Sequence, residues 1–205
     1  MEAKVGLENK CDISPSNCVY TSCYCEENVW KLCERIKEEQ VLDLEEHYVV
    51  FISNSNRQIP LWMQKKASSP LDAVVWDYHV ILIRKTKDKS FVYDLDSILP
   101  FPCPSELYLE QAIQSDRKLK KQFHRKFRII PAPVFLQTFA SDRSHMRKQN
   151  GEWRQEPPAY PPIKTGASSM NLDSFIDMTP GRGEGTVYDF RNFIRTFLLF
   201  PEPNI

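Results

Sequence analysis

The sequence predicts an α/β (α+β) fold in which a helix bearing a thiol at its first turn packs on a mainly antiparallel sheet. Three observations predict it. Val29, Trp30, Cys33 and Ile36 repeat at helical spacing, with Glu34, Arg35, Lys37 and Glu38 between them. Two β-rich runs, Ala73–Arg84 and Phe91–Leu95, are joined by the polar segment KTKDKS, which reads as a hairpin with a long turn. The chain of 205 residues is 41% hydrophobic and 26% charged, enough to bury a core without metal or disulfide staples. With no internal repeat, residues 1–205 read as one domain.

In order, residues 1–17 are polar and patternless, a loose lead-in. The first helix runs from Glu26. His47–Ile52 (HYVVFI) is β-branched and aromatic and reads as a buried strand. Arg57–Trp62 holds a short strand ended by Pro60, and Lys65–Pro70 is a loop. After the hairpin, Pro100, Pro102 and Pro104 stop regular structure. Ser105 then caps a helix to about Ser115, with Leu109, Ala112 and Ile113 inward. Lys126–Val134 reads as a strand and the proline-rich 149–168 as a long loop. Asn171–Met178 is a short helix, and Thr186–Leu199 an amphipathic one with Phe190, Phe193, Ile194, Phe197 and Leu198 on its inner stripe.

Charge excludes several function classes. Lys plus Arg and Asp plus Glu each number 27, so no overall footprint points to nucleic acid or an anionic membrane surface. No apolar run approaches the length of a membrane span. MEAKVGLENK lacks the apolar core of a secretory signal, so the cytosol is the expected compartment. There the six cysteines, five of them within the first 33 residues, are expected to stay reduced.

Cys25 stands at the start of the first helix, where unpaired N–H groups favour an anion and lower a thiol pKa. Cys23 lies before the helix and lacks that dipole. Within VVWDYHVIL, alternation puts Val75, Asp77, His79, Ile81 and Ile83 on one face and Trp76, Tyr78, Val80 and Leu82 on the other. A lone histidine in such a strand is most often a satisfied core residue. Across the hairpin, however, Val92, Asp94 and Asp96 share the face beside His79, and a carboxylate there can orient the imidazole. Alternation does not separate Asp94 from Asp96. A helix-start thiol, a strand histidine and a neighbouring carboxylate, in the order Cys, His, Asp, match the arrangement of thiol hydrolases and acyltransferases.

CYCEENVWKLC, WDYHV, FVYDLD, LPFPC, FASDRSHM and MNLDSFI together resemble the protein N-terminal glutamine amidohydrolases, from about Cys18 to about Phe193. WDYHV is that family's signature pentapeptide. The resemblance implies a papain- or transglutaminase-like core, with Cys25 as nucleophile, His79 as base and the first Asp of YDLD, Asp94, as orienting carboxylate. It also implies conversion of N-terminal glutamine to glutamate with release of ammonia, feeding arginylation in the N-degron pathway. No metal or organic cofactor is called for. The expected partners are proteins with a free N-terminal Gln and the arginylation machinery, and a monomer is expected. The family pattern does not say what binds the substrate's α-ammonium; Glu26, Glu27 and Asp77 have the right charge near the site.

Rival readings are weaker. Cys18, Cys23, Cys25 and Cys33 could ligate zinc, but the spacing lacks a C-x2-C knuckle. RKLKKQFHRKFR, residues 117–128, carries seven Lys and Arg and could bind nucleic acid or direct nuclear import; a solvated helix face leading into a strand is the plainer reading. In SDRSHM, Ser144 and His145 are sequence neighbours, unlike a nucleophile and its base, so this reads as a loop forming an active-site wall. A catalytically dead module gripping protein N-termini is the remaining alternative.

Overall fold

The computed structural model describes residues 13–198. A six-stranded sheet runs in the order β6-β5-β4-β1-β7-β8. Its strands are β1 (His47–Ser53), β4 (His79–Lys85), β5 (Ser90–Tyr93), β6 (Cys103–Pro104), β7 (Lys126–Pro131) and β8 (Thr186–Asp189). Every neighbouring pair is antiparallel. A separate ribbon pairs β2 (Ile59–Leu61) with β3 (Val74–Trp76).

Both faces of the sheet are covered, which explains why β1 and β4 read as nearly unbroken apolar runs. Successive side chains go to opposite sides. Val49, Phe51, Val80, Leu82 and Ile130 meet α1 (Cys25–Glu39), α3 (Ala132–Thr138) and α4 (Leu172–Ile176). Val50, Ile52, Ile81, Ile83 and Val92 meet α2 (Ser105–Tyr108) and α5 (Phe190–Phe193), each continued by a π-turn. Val29, Leu32, Cys33 and Ile36 form the buried stripe of α1. Each such Val, Leu or Ile is worth about 1.5–3 kcal/mol, and together they fix the helix whose first residue is Cys25. No helix among the described residues is long and apolar enough to cross a membrane.

Several boundaries differ from the sequence expectation. Ile13 is buried and Pro15–Asn17 form a 3₁₀ turn, so the lead-in is ordered there; residues 1–12, Cys11 among them, and Leu199 lie outside the described residues. Pro60 sits inside β2 rather than ending it, which a two-stranded ribbon tolerates. The run Ala73–Arg84 is two strands in two sheets, separated at Asp77–Tyr78. β7 stops at Pro131, and α3 begins where Pro133, lacking an N–H, fits a first helical turn. Thr186–Asp189 is a strand although its periodicity is helical. Gly185, at φ +76°, lets the backbone approach the Ile129 carbonyl too closely for any Cβ, and Thr186 then pairs with Ile129. The basic run is not a helix face: Arg125 and Arg128 are buried, Arg125 against Asp116 and Arg128 against the Asp177 and Glu184 carbonyls.

Candidate active site

The first turn of α1 carries Cys25, reached after Cys23 turns the chain at φ 71°. The thiol is buried and donates to Glu26 Oε2 at 3.6 Å. Burial pushes its pKa well above the ordinary value, and the Glu26 and Asp96 carboxylates push the same way; the nearby Val80 backbone N–H acts against them. The helix-start expectation of a lowered pKa is therefore overturned. Dehydration and two nearby carboxylates outweigh the partial charge of one helix end.

The Val80 contact sets the thiol against the residue after His79, the first residue of β4. His79 is fully buried, its ring stacked on Trp76 at 5.3 Å. Nε2 lies 2.9 Å from Asp94 Oδ1. An ionised carboxylate only accepts, so Nε2 carries the proton and Nδ1 is the ring's free base. Nδ1 is buried with no hydrogen-bond partner. Burial alone would depress the imidazole pKa, but Asp94, with Asp96 and Glu26 behind it, lifts it above 6.5.

Asp94 follows the last residue of β5 and begins a turn closed by Ser97 N–H to its carbonyl. Its Oδ1 also takes the Asp96 N–H at 2.9 Å, and its Oδ2 takes Gln64 Nε2 at 3.1 Å and Tyr108 O–H at 2.8 Å. Burial would raise its pKa, but His79 and these donors hold the carboxyl below the usual range. It is thus Asp94, not Asp96, that holds His79. Alternation could not choose between them because β5 ends at Tyr93, before either aspartate.

A cleft of about 430 Å³ opens beside the thiol, lined by Cys23, Cys25, Trp76, Asp77, Asp96 and His145 among others. Of the three acids read from the sequence, Glu27 is paired with Arg143, which holds both its oxygens, at 2.9 and 2.8 Å, in buried surroundings. Glu26 is buried, accepts from Tyr78 O–H at 3.0 Å, and has its pKa pushed up to about 7, chiefly by burial. Asp77 is exposed on the cleft rim and caps the Tyr78 N–H at 2.9 Å. SDRSHM supplies the Arg143 that locks Glu27 and the His145 on the cleft wall. Sequence reasoning missed Gln64, Tyr108 and Tyr20. Only Tyr108, a polar-tipped aromatic on a predicted inward-facing helix, carried any signal.

A larger cavity of about 830 Å³, lined by Arg117, Lys121, Phe190, Arg191 and Arg195 among others, shares no residue with this cleft and offers no thiol. The cysteines do not converge on a metal site among the described residues. The one such set of three ligand groups there is His79, Asp94 and Asp96, within 4.8 Å of one another. His79 Nε2 is bonded to Asp94, Asp94 also accepts from Gln64, Tyr108 and the Asp96 backbone N–H, and the Asp96 carboxylate accepts from Tyr20, which makes the set a hydrogen-bonded network.

Residues 20–197 match the family described as N-terminal glutamine amidase. A zebrafish (Danio rerio) protein N-terminal glutamine amidohydrolase is 54% identical over 90% of this chain and 93% of its own length. The human (Homo sapiens) protein of that name is 52% identical over 88% of each chain. The Drosophila melanogaster one is 44% identical over 91% of each.

Proposed function

This chain belongs to the N-terminal glutamine amidase family, and from that premise we propose that it hydrolyses the side-chain amide of N-terminal glutamine on proteins, giving glutamate and ammonia. The single observation that carries the mechanism is the free, buried Nδ1 of His79, on a ring whose other nitrogen is fixed to Asp94, beside the strand position that touches the Cys25 sulfur. His79 Nδ1 takes the thiol proton as the sulfur attacks the side-chain carbonyl carbon. The imidazolium is stabilised by Asp94 and returns the proton to the nitrogen as ammonia leaves. Water then adds to the thioester, again deprotonated by His79, and releases glutamate and the thiol.

The raised thiol pKa suits this order of events. Cys25 rests protonated, and its proton moves only when substrate is in place, as in general-base catalysis. A thiol nucleophile on a helix start against an antiparallel sheet is the basis for also proposing a papain- or transglutaminase-like descent, and for a reducing, cytosolic setting. The product's new N-terminal glutamate would be available to arginylation in the N-degron pathway.

The test compares four otherwise identical peptides by ammonia release: N-terminal Gln, N-terminal Asn, acetylated Gln and internal Gln. One missing methylene costs only about 1–3 kcal/mol by apolar contact. A pinned amine, however, also draws the Asn carbonyl away from the sulfur, and about 1 Å of misplacement can add on the order of 10²-fold. Release from the unblocked Gln peptide alone is expected. Comparable rates from internal or acetylated Gln would replace the terminal reading with an open, transglutaminase-like cleft.

A further inference from the structure

We propose that Asp96, held by Tyr20, is the residue that receives the substrate's α-ammonium; this rests on the deamidase reading above and names its specificity determinant. Three carboxylates line the cleft beside Cys25: Asp77, Asp96 and Asp173. Asp173 is paired with Arg57 at 2.8 Å. Asp77 is exposed to water, which weakens any ion pair it makes. Asp96 differs from both. It is 3% exposed, yet among the described residues no lysine or arginine forms an ion pair with it.

The lysines in its neighbourhood are committed elsewhere, and Arg154, which shares the cleft, is not among the ion pairs of the described residues. The Lys65 ammonium bonds the Leu95 carbonyl at 2.7 Å and Lys66 bonds Cys23 Sγ at 2.7 Å. His79 lies within 4.8 Å, but its Nε2 is bonded to Asp94. A carboxylate taken out of water without a cation is costly, and a charged group arriving from the cleft relieves that cost. The side chain is fixed for the purpose. Tyr20 O–H donates to Oδ1 at 2.6 Å, and the Asp96 backbone is pinned by its N–H to Asp94 and its carbonyl to Lys65 N–H at 2.7 Å.

Reach agrees with the chemistry. In glutamine the α-nitrogen and the side-chain amide carbon are four bonds apart, about 5 Å when extended. Asp96 and Cys25 line the same cleft, and the Asp96 charge acts on the thiol. A residue bound in that cleft would offer its ammonium to the carboxylate and its side-chain amide to the sulfur. Asparagine, one methylene shorter, reaches about 1 Å less far from a pinned ammonium. Acetylation leaves Asp96 dehydrated and unpaired, and an internal glutamine offers no ammonium at all.

The experiment measures binding by calorimetry in a Cys25→Ala background, with a Gln-initiated peptide and its des-amino analogue, in which hydrogen replaces the α-amine. Asp96→Asn is expected to weaken the free-amine peptide by at least about 30-fold and to leave the des-amino analogue unchanged. The difference should vanish as the amine deprotonates above its ordinary pKa of about 7.7–8.0. Tyr20→Phe should produce a smaller loss of the same amine-dependent kind, which guards against a folding defect in the aspartate variant. Equal weakening of both peptides, or of neither, overturns the assignment. Ammonia release by the unsubstituted enzyme decides the activity independently. Asp96-dependent binding without ammonia would keep the site and sink the deamidase reading; ammonia release with Asp96-independent binding would do the reverse.

Discussion

Glu26→Gln should make the protein more stable, and only above mildly acidic pH. In the native state burial lifts the Glu26 pKa from 4.5 to about 7. Between those values the folded chain holds a proton that the unfolded chain has lost, so stability falls as pH rises through the window. Once both states are ionised the full difference amounts to about 3 kcal/mol of destabilisation. Glutamine keeps an oxygen to accept the Tyr78 hydroxyl, which donates to Glu26 at 3.0 Å, but never carries the charge. The variant should therefore match the parent near about pH 4.5 and exceed it by about 3 kcal/mol at about pH 8. Urea unfolding of the two proteins across that range measures this, because the titrating groups that do not sense Glu26 are common to both and cancel. A second readout is alkylation of Cys25. The Glu26 charge helps raise the thiol pKa, so iodoacetamide should react faster with the variant at about pH 8. A stability difference that is flat with pH, or that shrinks as pH rises, would refute the claim that Glu26 is a buried, reluctantly ionised acid.

The remaining predictions concern the proposed chemistry and one buried pair. Cys25→Ala should abolish ammonia release with the fold intact by circular dichroism, while Cys23→Ala keeps measurable activity; full activity in the first would remove the nucleophile. Asp94→Asn should lower kcat by up to about 10⁴-fold. Because Asp94 lifts the His79 pKa above 6.5, any residual activity should also have its acid limb at lower pH; an unmoved limb would mean that another group orients the imidazole. Arg143→Met should cost about 3–5 kcal/mol in urea unfolding by stranding buried Glu27, and pairing it with Glu27→Leu should recover most of the loss.

What the sequence made legible follows physical range. The apolar runs of β1 and β4 and the positions Val29, Cys33 and Ile36 are local patterns and stand as read. Trp30, read into the same stripe, is only partly buried, and Leu32 is buried beside them. Cys25 at the helix start is local too, and so is the nearness of His79 to the YDLD segment. The sign of the thiol's pKa shift was not legible, because it depends on dehydration and on Asp96, which lies 71 positions away in the chain. Nor was the pairing of Glu27 with Arg143, 116 residues distant. Thr186–Asp189 looked helical because Phe190, Phe193, Phe197 and Leu198 do belong to a helical segment; only the pairing of Thr186 with Ile129 moves the boundary.

The interruption in Ala73–Arg84 is what arranges the site. In an unbroken strand Trp76 and His79, three residues apart, would point to opposite faces. Their rings instead stack at 5.3 Å, which is possible only because the chain leaves one sheet at Trp76 and joins the other at His79. Asp77 makes that break. Its carboxylate takes the Tyr78 N–H at 2.9 Å, and its carbonyl takes the Ser53 hydroxyl at 2.7 Å, so the backbone groups freed from a ladder find partners here. Tyr78 is then turned to the α1 face, where its hydroxyl meets Glu26 at 3.0 Å, and the Val80 N–H meets the Cys25 sulfur. The five residues of WDYHV thus act in five different ways. Trp76 backs the ring, Asp77 breaks the strand, Tyr78 holds Glu26, His79 is the proposed base and the Val80 N–H lowers the pKa of the thiol. A regular strand with the same composition could not do this, since alternation would send at least Trp76 away from the imidazole it supports.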